Sequence, residues 1–241
     1  MDIYIYIMCD YFILTKPNYI GTNVDDKNQV ICLTEKVYIL PKNNLGYYIQ
    51  NGLFENNLIE WCKQFCNKET NMLDIGAHTG TYTISLANNC KHVYAFEPQK
   101  MTFYSLCGSV ALSNITNATC INFGLGSTDQ VGKQVLNIVS LDGGGSSIHS
   151  NENNILKKEE IEVKTLDSFN IDNIGFIKID VEENELQVLL SAQNTLQKSN
   201  YPKILFEMNK ENKELLDFLT QHYKIISISG YNNMFLAVKK E

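Results

Sequence analysis

Nowhere in its 241 residues does the chain gather lysine or arginine among aromatic side chains, and its net charge is −7. A nucleic-acid binder normally presents a basic field, so this composition argues against that class. Cys-x-x-Cys pairs are missing too, and none of the seven cysteines (Cys9, Cys32, Cys62, Cys66, Cys90, Cys107, Cys120) lies beyond residue 120. Cys62 and Cys66 stand one helical turn apart, but no His or Cys pair answers them, which leaves half a metal site at most. Reduced thiols of a cytosolic protein are the expected state. A long apolar run is absent as well. Residues Met1 to Leu14 are apolar and aromatic but carry Asp2 and Asp10, lack a basic leader and are too short to span a bilayer. Alternation of Ile3, Ile5 and Ile7 with Tyr4 and Tyr6 reads instead as a strand. The expectation is a soluble, cytoplasmic protein with no membrane span.

What is present centres on Asn71–Thr83. The apolar residues Met72, Leu73 and Ile75 read as a buried parallel strand, and Tyr82–Ala87 as the first turns of a helix. Between them lies a small-residue turn, Gly76-Ala77-His78-Thr79-Gly80. A strand, glycine turn and helix in this order form the nucleoside- or phosphate-binding corner of doubly wound folds. Gly76 and Gly80 let the backbone pass close beneath a ligand, and the helix start offers unpaired N–H groups. Asp74 would repel a pyrophosphate but suits a ligand with a cationic head, such as the amino group of S-adenosylmethionine. A nicotinamide or flavin fingerprint would need glycine where His78 stands, so an oxidoreductase on the same topology is the second reading. A non-catalytic binding or scaffold protein is the third.

Along the chain, Val30–Leu33 and Lys36–Leu40 read as a hairpin about Thr34-Glu35. Leu58, Ile59, Trp61, Cys62 and Phe65 fall at helical spacing over Asn56–Asn67, with Trp61 expected in the core. The second parallel strand, Lys91–Glu97, is stopped by Pro98, which frees the following loop to fold over a ligand. Glu97, at its carboxyl end, is placed to hydrogen-bond ribose hydroxyls. A helix over Lys100–Leu112 follows, then Thr119–Gly126 as the third strand and its exit turn, which borders an adenine site; Phe123 packs there or in the core. Strands over Val131–Val139 and Ile161–Leu166 flank the Gly/Ser-rich loop Asp142–His149, either a substrate lid or a plain linker. His149 is expected to be solvated.

The fourth core strand, Ile174–Glu182, puts Lys178, Asp180 and Glu182 on one face. A carboxylate in so apolar a strand is costly to bury unless a partner or ligand meets it. A helix over Glu183–Leu196, a fifth strand Lys203–Met208, a helix over Asn212–His222 and a closing hairpin about Gly230–Asn233 complete the chain. Asp74, Glu97, Asp180 and Glu207 each end a strand of one alternating series and should line one crevice at the carboxyl edge of the sheet.

These segments resemble the FkbM-type family of S-adenosylmethionine-dependent methyltransferases. The resemblance rests on LDIGAHTGTYT at 73–83, AFEPQ at 95–99, Thr165-Leu166-Asp167, FIKIDVEENELQVL at 176–189 and PKILFEM at 202–208. Phe54-Glu55, after Tyr47-Tyr48, matches the segment upstream. One departure is Glu183, where the family usually has glycine; it adds charge beside the acceptor pocket. The implied fold is α/β, a Rossmann-like, doubly wound and mostly parallel sheet of the class I methyltransferase type. An antiparallel C-terminal hairpin strand ends it. Residues 1–55 would be a β-rich extension and 56–241 the methyltransferase domain. The implied chemistry is O-methylation of a sugar, glycan or other small-molecule hydroxyl. Candidate cofactor-binding residues are Asp74, Gly76, Ala77, His78, Thr79, Gly80, Thr83, Glu97, Pro98, Phe123, Gly124 and Asp180. Candidate catalytic residues are Asp180, Glu182, Glu207 and His78, with a divalent cation on Asp180 and Glu207 as an open alternative.

Overall fold

A computed structural model of the protein describes residues 11–18, 33–140, 142–149 and 154–241. The strand expected over Ile3–Ile7, the run Val30–Cys32, and Cys9 lie outside the described residues. Strands β1 (Tyr11–Asn18) and β2 (Leu33–Pro41) pair antiparallel as a small sheet. The turn expected at Thr34-Glu35 is not there. Lys16 faces Lys36 while Pro17 faces Thr34, so Glu35 is left without an opposite number and forms a bulge within a continuous strand. Pro17 has no N–H to give the ladder, which is where a bulge is tolerated.

Helices α1 (Leu45–Asn51) and α2 (Asn56–Cys62) lead into the main domain. There β3 (Asn71–Ile75), α3 (Thr81–Leu86), β4 (Val93–Phe96), α4 (Lys100–Leu112) and β5 (Ala118–Ile121) alternate as expected. Next come β6 (Gly124–Leu125), β7 (Gly132–Ile138) and β8 (Lys157–Lys164), then β9 (Ile174–Ile179), α5 (Glu185–Leu190) and α6 (Gln193–Lys198). The chain closes with β10 (Lys203–Glu207), α7 (Lys213–Leu219), β11 (Tyr223–Ile228) and β12 (Tyr231–Lys239).

The main sheet has seven strands in the order β11-β12-β10-β9-β3-β4-β5. Its five strands from β5 to β10 run parallel, and the C-terminal hairpin adds β12 antiparallel to β10. Every residue of β3 is buried, Asp74 included, as expected of a parallel strand covered on both faces. Leu73, Ile75, Ile177, Ile179 and Phe206 pack on one side, and Met72, Val93, Phe176 and Leu205 on the other. The extension is joined to this core, with Tyr38, Leu40, Tyr48 and Leu53 packed against Ile84, Leu106 and Val110. Two serines of α4 satisfy the edge of β2: Ser109 Oγ accepts the Ile39 N–H at 2.9 Å and Ser113 Oγ the Val37 N–H at 2.8 Å.

Three further expectations are corrected. The exit turn expected after the third strand carries a strand of its own, because Gly124-Leu125 leave the main sheet and pair with β8 in a three-stranded sheet of order β6-β8-β7. The helix expected over Glu183–Leu196 is two short helices, starting only at Glu185 because Glu182 and Glu183 sit at φ 53° and 74°. Trp61 is 38% exposed and meets Phe65 edge-on at 4.7 Å instead of entering the core, so it belongs to the outer face of α2. No helix of the described residues is long and apolar enough to cross a membrane.

Candidate active site

Strand β3 pairs with β4 on one side and β9 on the other, so connections leave it in opposite directions. A crevice opens at the carboxyl end of such a strand. Asp74 is fully buried beneath the turn, where its Oδ2 accepts the Thr83 N–H at 3.0 Å and the Thr83 hydroxyl at 2.6 Å. It therefore fastens the strand to the start of α3. Its Oδ1 is buried without a partner. Burial pushes this carboxyl up, against the pull of Lys178 and the two Thr83 bonds. Gly76 adopts φ 74°, and a Cβ there would sit 1.8 Å from the Asp180 carbonyl oxygen. Only glycine fits at that crossing.

The two N–H groups that converge on Glu97 come from His78 (2.9 Å, to Oε2) and Gln99 (2.8 Å, to Oε1). The carboxylate is thereby pinned at the end of β4 and aimed at the crevice. Burial lifts its pKa to about 7, and the two backbone bonds moderate the rise.

Beside this carboxylate lies a cavity of about 390 Å³, within the range of pockets that hold small molecules. Gly76, Ala77 and His78 border it from the turn, Pro98 and Phe123 from the ends of β4 and β5, and Ile161 and Val163 from β8. The extension contributes Asn44, Tyr48, Phe54 and Glu55. Loop 142–149 covers it. His78 donates its Nε2–H to the Asp142 carbonyl at 2.6 Å, since a carbonyl can only accept. The Asp142 carboxylate accepts the side-chain amides of Asn43 and Asn44 at 2.9 and 2.7 Å. Gly145 N–H donates to Glu182 Oε1 at 2.9 Å, and the Ser147 hydroxyl to the Glu182 carbonyl at 2.9 Å. The hydroxyl of Ser146 borders the cavity, buried and without a partner. Of the two readings of this loop, a cover over the cavity matches its placement. His149 is exposed, as expected, with Nε2 3.2 Å from Asn184 Oδ1.

Across from Glu97, Asp180 borders the cavity and pairs with Lys178 at 3.3 Å. Carboxylate oxygens of Asp180, Glu182 and Glu207 lie within 4.8 Å of one another, the one such cluster among the described residues. Burial first, then the charges of Asp180 and Glu182, raise the Glu207 pKa to about 8. Asn233 and Asn209 hold Glu207 at 2.6 and 2.9 Å, on the side away from the cavity, where it borders a second depression. The strands thus bring Glu97, Asp180 and Glu182 to the cavity wall with Gly76, Ala77, His78, Pro98, Phe123 and Gly124. Asp74, Thr79, Gly80 and Thr83 support the wall from behind, and Glu207 reaches it only through Asp180. Glu183 takes the left-handed conformation that explains a usual glycine, and its carboxylate pairs with Lys210 at 2.6 Å.

Three residues of the wall escaped sequence reasoning. Glu55, at φ 53°, accepts the Tyr82 hydroxyl at 2.7 Å, and Lys178 lies over the Tyr82 ring at 5.4 Å. Lys178 had left a signal as a charge inside an apolar parallel strand, and Glu55 and Tyr82 one only as members of family-like segments, with no role attached.

The sequence profile of the methyltransferase FkbM domain matches residues 74–229, from the end of β3 through β11. The chain belongs to that family. Among solved structures, a methyltransferase FkbM from Methylobacillus flagellatus KT is 18% identical, covers 71% of this chain and 44% of its own, and superposes with a TM-score of 0.49. An rRNA methylase from Streptococcus thermophilus is 14% identical over 77% of this chain and 95% of its own, with a TM-score of 0.49. A protein of Streptococcus mutans assigned as a methyltransferase and solved in complex with SAH is 15% identical over 75% and 93%, at 0.47. The chain thus spans 44% of the length of the Methylobacillus protein. No curated protein matches it.

Proposed function

We propose that the protein transfers the methyl group of S-adenosylmethionine to a hydroxyl of a sugar or other small molecule. The observation that carries this is Glu97, pinned by the His78 and Gln99 N–H groups and facing a cavity whose wall is the glycine turn. A carboxylate so held accepts the paired hydroxyls of a ribose. Phe123 and Gly124 supply a wall for the base, and the buried, unpartnered Ser146 hydroxyl is a free donor at the cavity. When bound, the cofactor brings a methyl already activated by its sulfonium, so the chain's task is alignment and removal of one proton.

Asp180 is assigned that proton: its carboxylate accepts the hydroxyl hydrogen as the acceptor oxygen takes the methyl. Glu182 and Glu207 surround it. The His78 Nε2–H is engaged by the Asp142 carbonyl, which suits a positioning role better than that of base. Lys178 already provides positive charge beside Asp180, so proton transfer is favoured for the carboxylate trio over a divalent cation. A magnesium titration in the presence of chelator tests that choice.

The wall argues against RNA as acceptor. The chain contains no arginine, and Glu55, Glu97, Asp142, Asp180 and Glu182 face the cavity against Lys178, the one lysine bordering it among the described residues. Affinity for RNA that survives physiological salt would reverse this. We assign residues 56–241 to the catalytic domain and 1–55 to an extension, of which Asn44, Tyr48, Phe54 and Glu55 complete one wall; the cytosol is the proposed compartment, on cysteine usage.

Calorimetric titration with S-adenosylmethionine, and separately with NAD, tests the assignment against a Glu97→Ala variant. Adenosylmethionine binding that the variant loses supports it. NAD binding alone overturns it in favour of an oxidoreductase.

A further inference from the structure

Lys178 is 4% exposed, and among the described residues it is the sole basic side chain bordering the cavity apart from the histidine of the turn. A lysine in a central parallel strand, buried on both faces, has a desolvation cost that only specific partners offset. Its partners come from both sides of the crevice. Nζ donates to the Gly76 carbonyl at 2.9 Å, within the turn after β3, and to Asp180 Oδ2 at 3.3 Å, at the end of β9. The Tyr82 ring of α3 lies below it at 5.4 Å, with the Tyr82 hydroxyl bonded to Glu55. Burial works against its charge, but Asp180, Asp74 and Glu55 outweigh it and hold the side chain as an ammonium. The same two segments also touch through backbone: the Asp180 N–H donates to the Ile75 carbonyl at 3.0 Å, and Gly76 has no room for a side chain against Asp180.

From this geometry we propose that Lys178 is the positioning residue of the site, a clamp through which the Gly76–Gly80 turn and the Asp180 carboxylate hold one relative placement. The inference rests on the reading of the turn as the cofactor side and Asp180 as the acceptor side. A methyl transfer needs donor and acceptor in line within a fraction of an ångström. No strand hydrogen bond fixes a carboxylate side chain relative to a neighbouring turn. The ammonium does, with one donor for each. Methionine in its place would fill the space and remove both bonds. Arginine would keep the charge.

Hydrogen exchange in the ligand-free protein tests the clamp without depending on an acceptor. The amides of Gly76, Ala77 and Gly80, bonded to Phe96, Phe96 and Ala77 carbonyls, report the turn. In Asp180→Asn, which leaves the strand intact, these amides should exchange about 10-fold faster than in wild type, the loss expected for one charge-assisted bond. Lys178→Met should do at least as much, and the double variant no more than Lys178→Met alone, because both changes cut one connection. Lys178→Arg should restore exchange to within about 3-fold of wild type. Unchanged exchange at the turn in Asp180→Asn, or effects that multiply in the double variant, overturns the clamp. If Lys178→Met does not fold, the Asp180→Asn and Lys178→Arg results decide alone. Titration of the same proteins with S-adenosylhomocysteine separates this outcome from failure of the functional reading. Wild type that does not bind refutes the cofactor assignment and leaves the exchange result standing. Binding that weakens in parallel in Lys178→Met and in the double variant supports both.

Discussion

The Nε2–H of His78, in the glycine turn, meets the backbone carbonyl of Asp142, in the covering loop, at 2.6 Å. Two segments 64 residues apart in sequence are thereby joined over the cavity. His78 holds a left-handed backbone at φ 52°, uncommon for a side chain of this size, and that conformation aims the imidazole at the loop. Burial lowers its pKa, so it stays neutral and keeps one nitrogen for donation.

His78→Ala should therefore loosen the loop while leaving the fold in place. The expected result is faster amide exchange over residues 143–147 and dissociation of S-adenosylhomocysteine quicker by about 10-fold, the cost of one buried hydrogen bond. Asn44→Ala, which removes a 2.7 Å bond to the Asp142 carboxylate, should move the same amides in the same direction but less, since Asn43 remains. Stopped-flow displacement checks both.

Glu97 should make cofactor affinity depend on pH. Its pKa is raised to about 7 in the folded protein, and ribose hydroxyls need the carboxylate form as acceptor. Affinity should be full at pH 8 and decline as pH falls through about 7. Stability runs the other way. A folded pKa above the unfolded value of about 4.5 means that the native state binds this proton more tightly, so the favourable contribution is present below pH 4.5 and is lost as pH rises to about 7, by roughly 3 kcal/mol at most. Glu97→Gln should thus abolish the pH dependence of both binding and stability between pH 6 and 8, without a gain in melting temperature, because its amide nitrogen cannot accept one of the two backbone N–H bonds. Calorimetry and thermal melts at pH 6 and 8 read the two signs.

Much of this was open to sequence reading because parallel strands announce themselves. Runs such as Met72–Ile75 and Phe176–Ile179 are apolar but for Asp74 and Lys178, and charged residues in or at the end of such strands stand out. The same reading erred where tertiary packing overrode local pattern. The Thr34-Glu35 pair looks like a turn but is a bulge opposite Pro17. The run after Thr119 looks like one strand and its exit turn, but the turn pairs as a strand of a second sheet. The bond between Glu55 and Tyr82 could not be foreseen, since it joins residues 27 apart through the way α2 docks on α3. Lys178 was visible but readable as an ordinary surface ion pair; only its burial shows otherwise.

Gly76→Ala should be among the most damaging single changes. The new Cβ would lie 1.8 Å from a backbone oxygen, at φ 74°, so both strain and overlap apply. Neither atom belongs to a flexible side chain, and relief requires β9 and the turn to part. A loss of about 3 kcal/mol or more is expected, read as the shift of a urea midpoint. An alanine variant that melts within a degree of wild type would mean that the turn and Asp180 do not cross as closely as described.

Asp180→Asn addresses the chemistry. Asparagine is nearly isosteric, but it carries no charge to hold the Lys178 ammonium and cannot take a proton from a hydroxyl. If Asp180 is the base, turnover on the first acceptor found by screening should fall by about 10²-fold or more, the ordinary contribution of a positioned base. S-Adenosylmethionine affinity should change far less. Raising the pH separates base from orienter, because hydroxide can take over for a missing base and recover part of the rate, whereas a misplaced acceptor stays slow at every pH. Turnover and acceptor affinity both unchanged would remove Asp180 from the reaction and return Glu182, across the same 4.8 Å cluster, as the next carboxylate to replace.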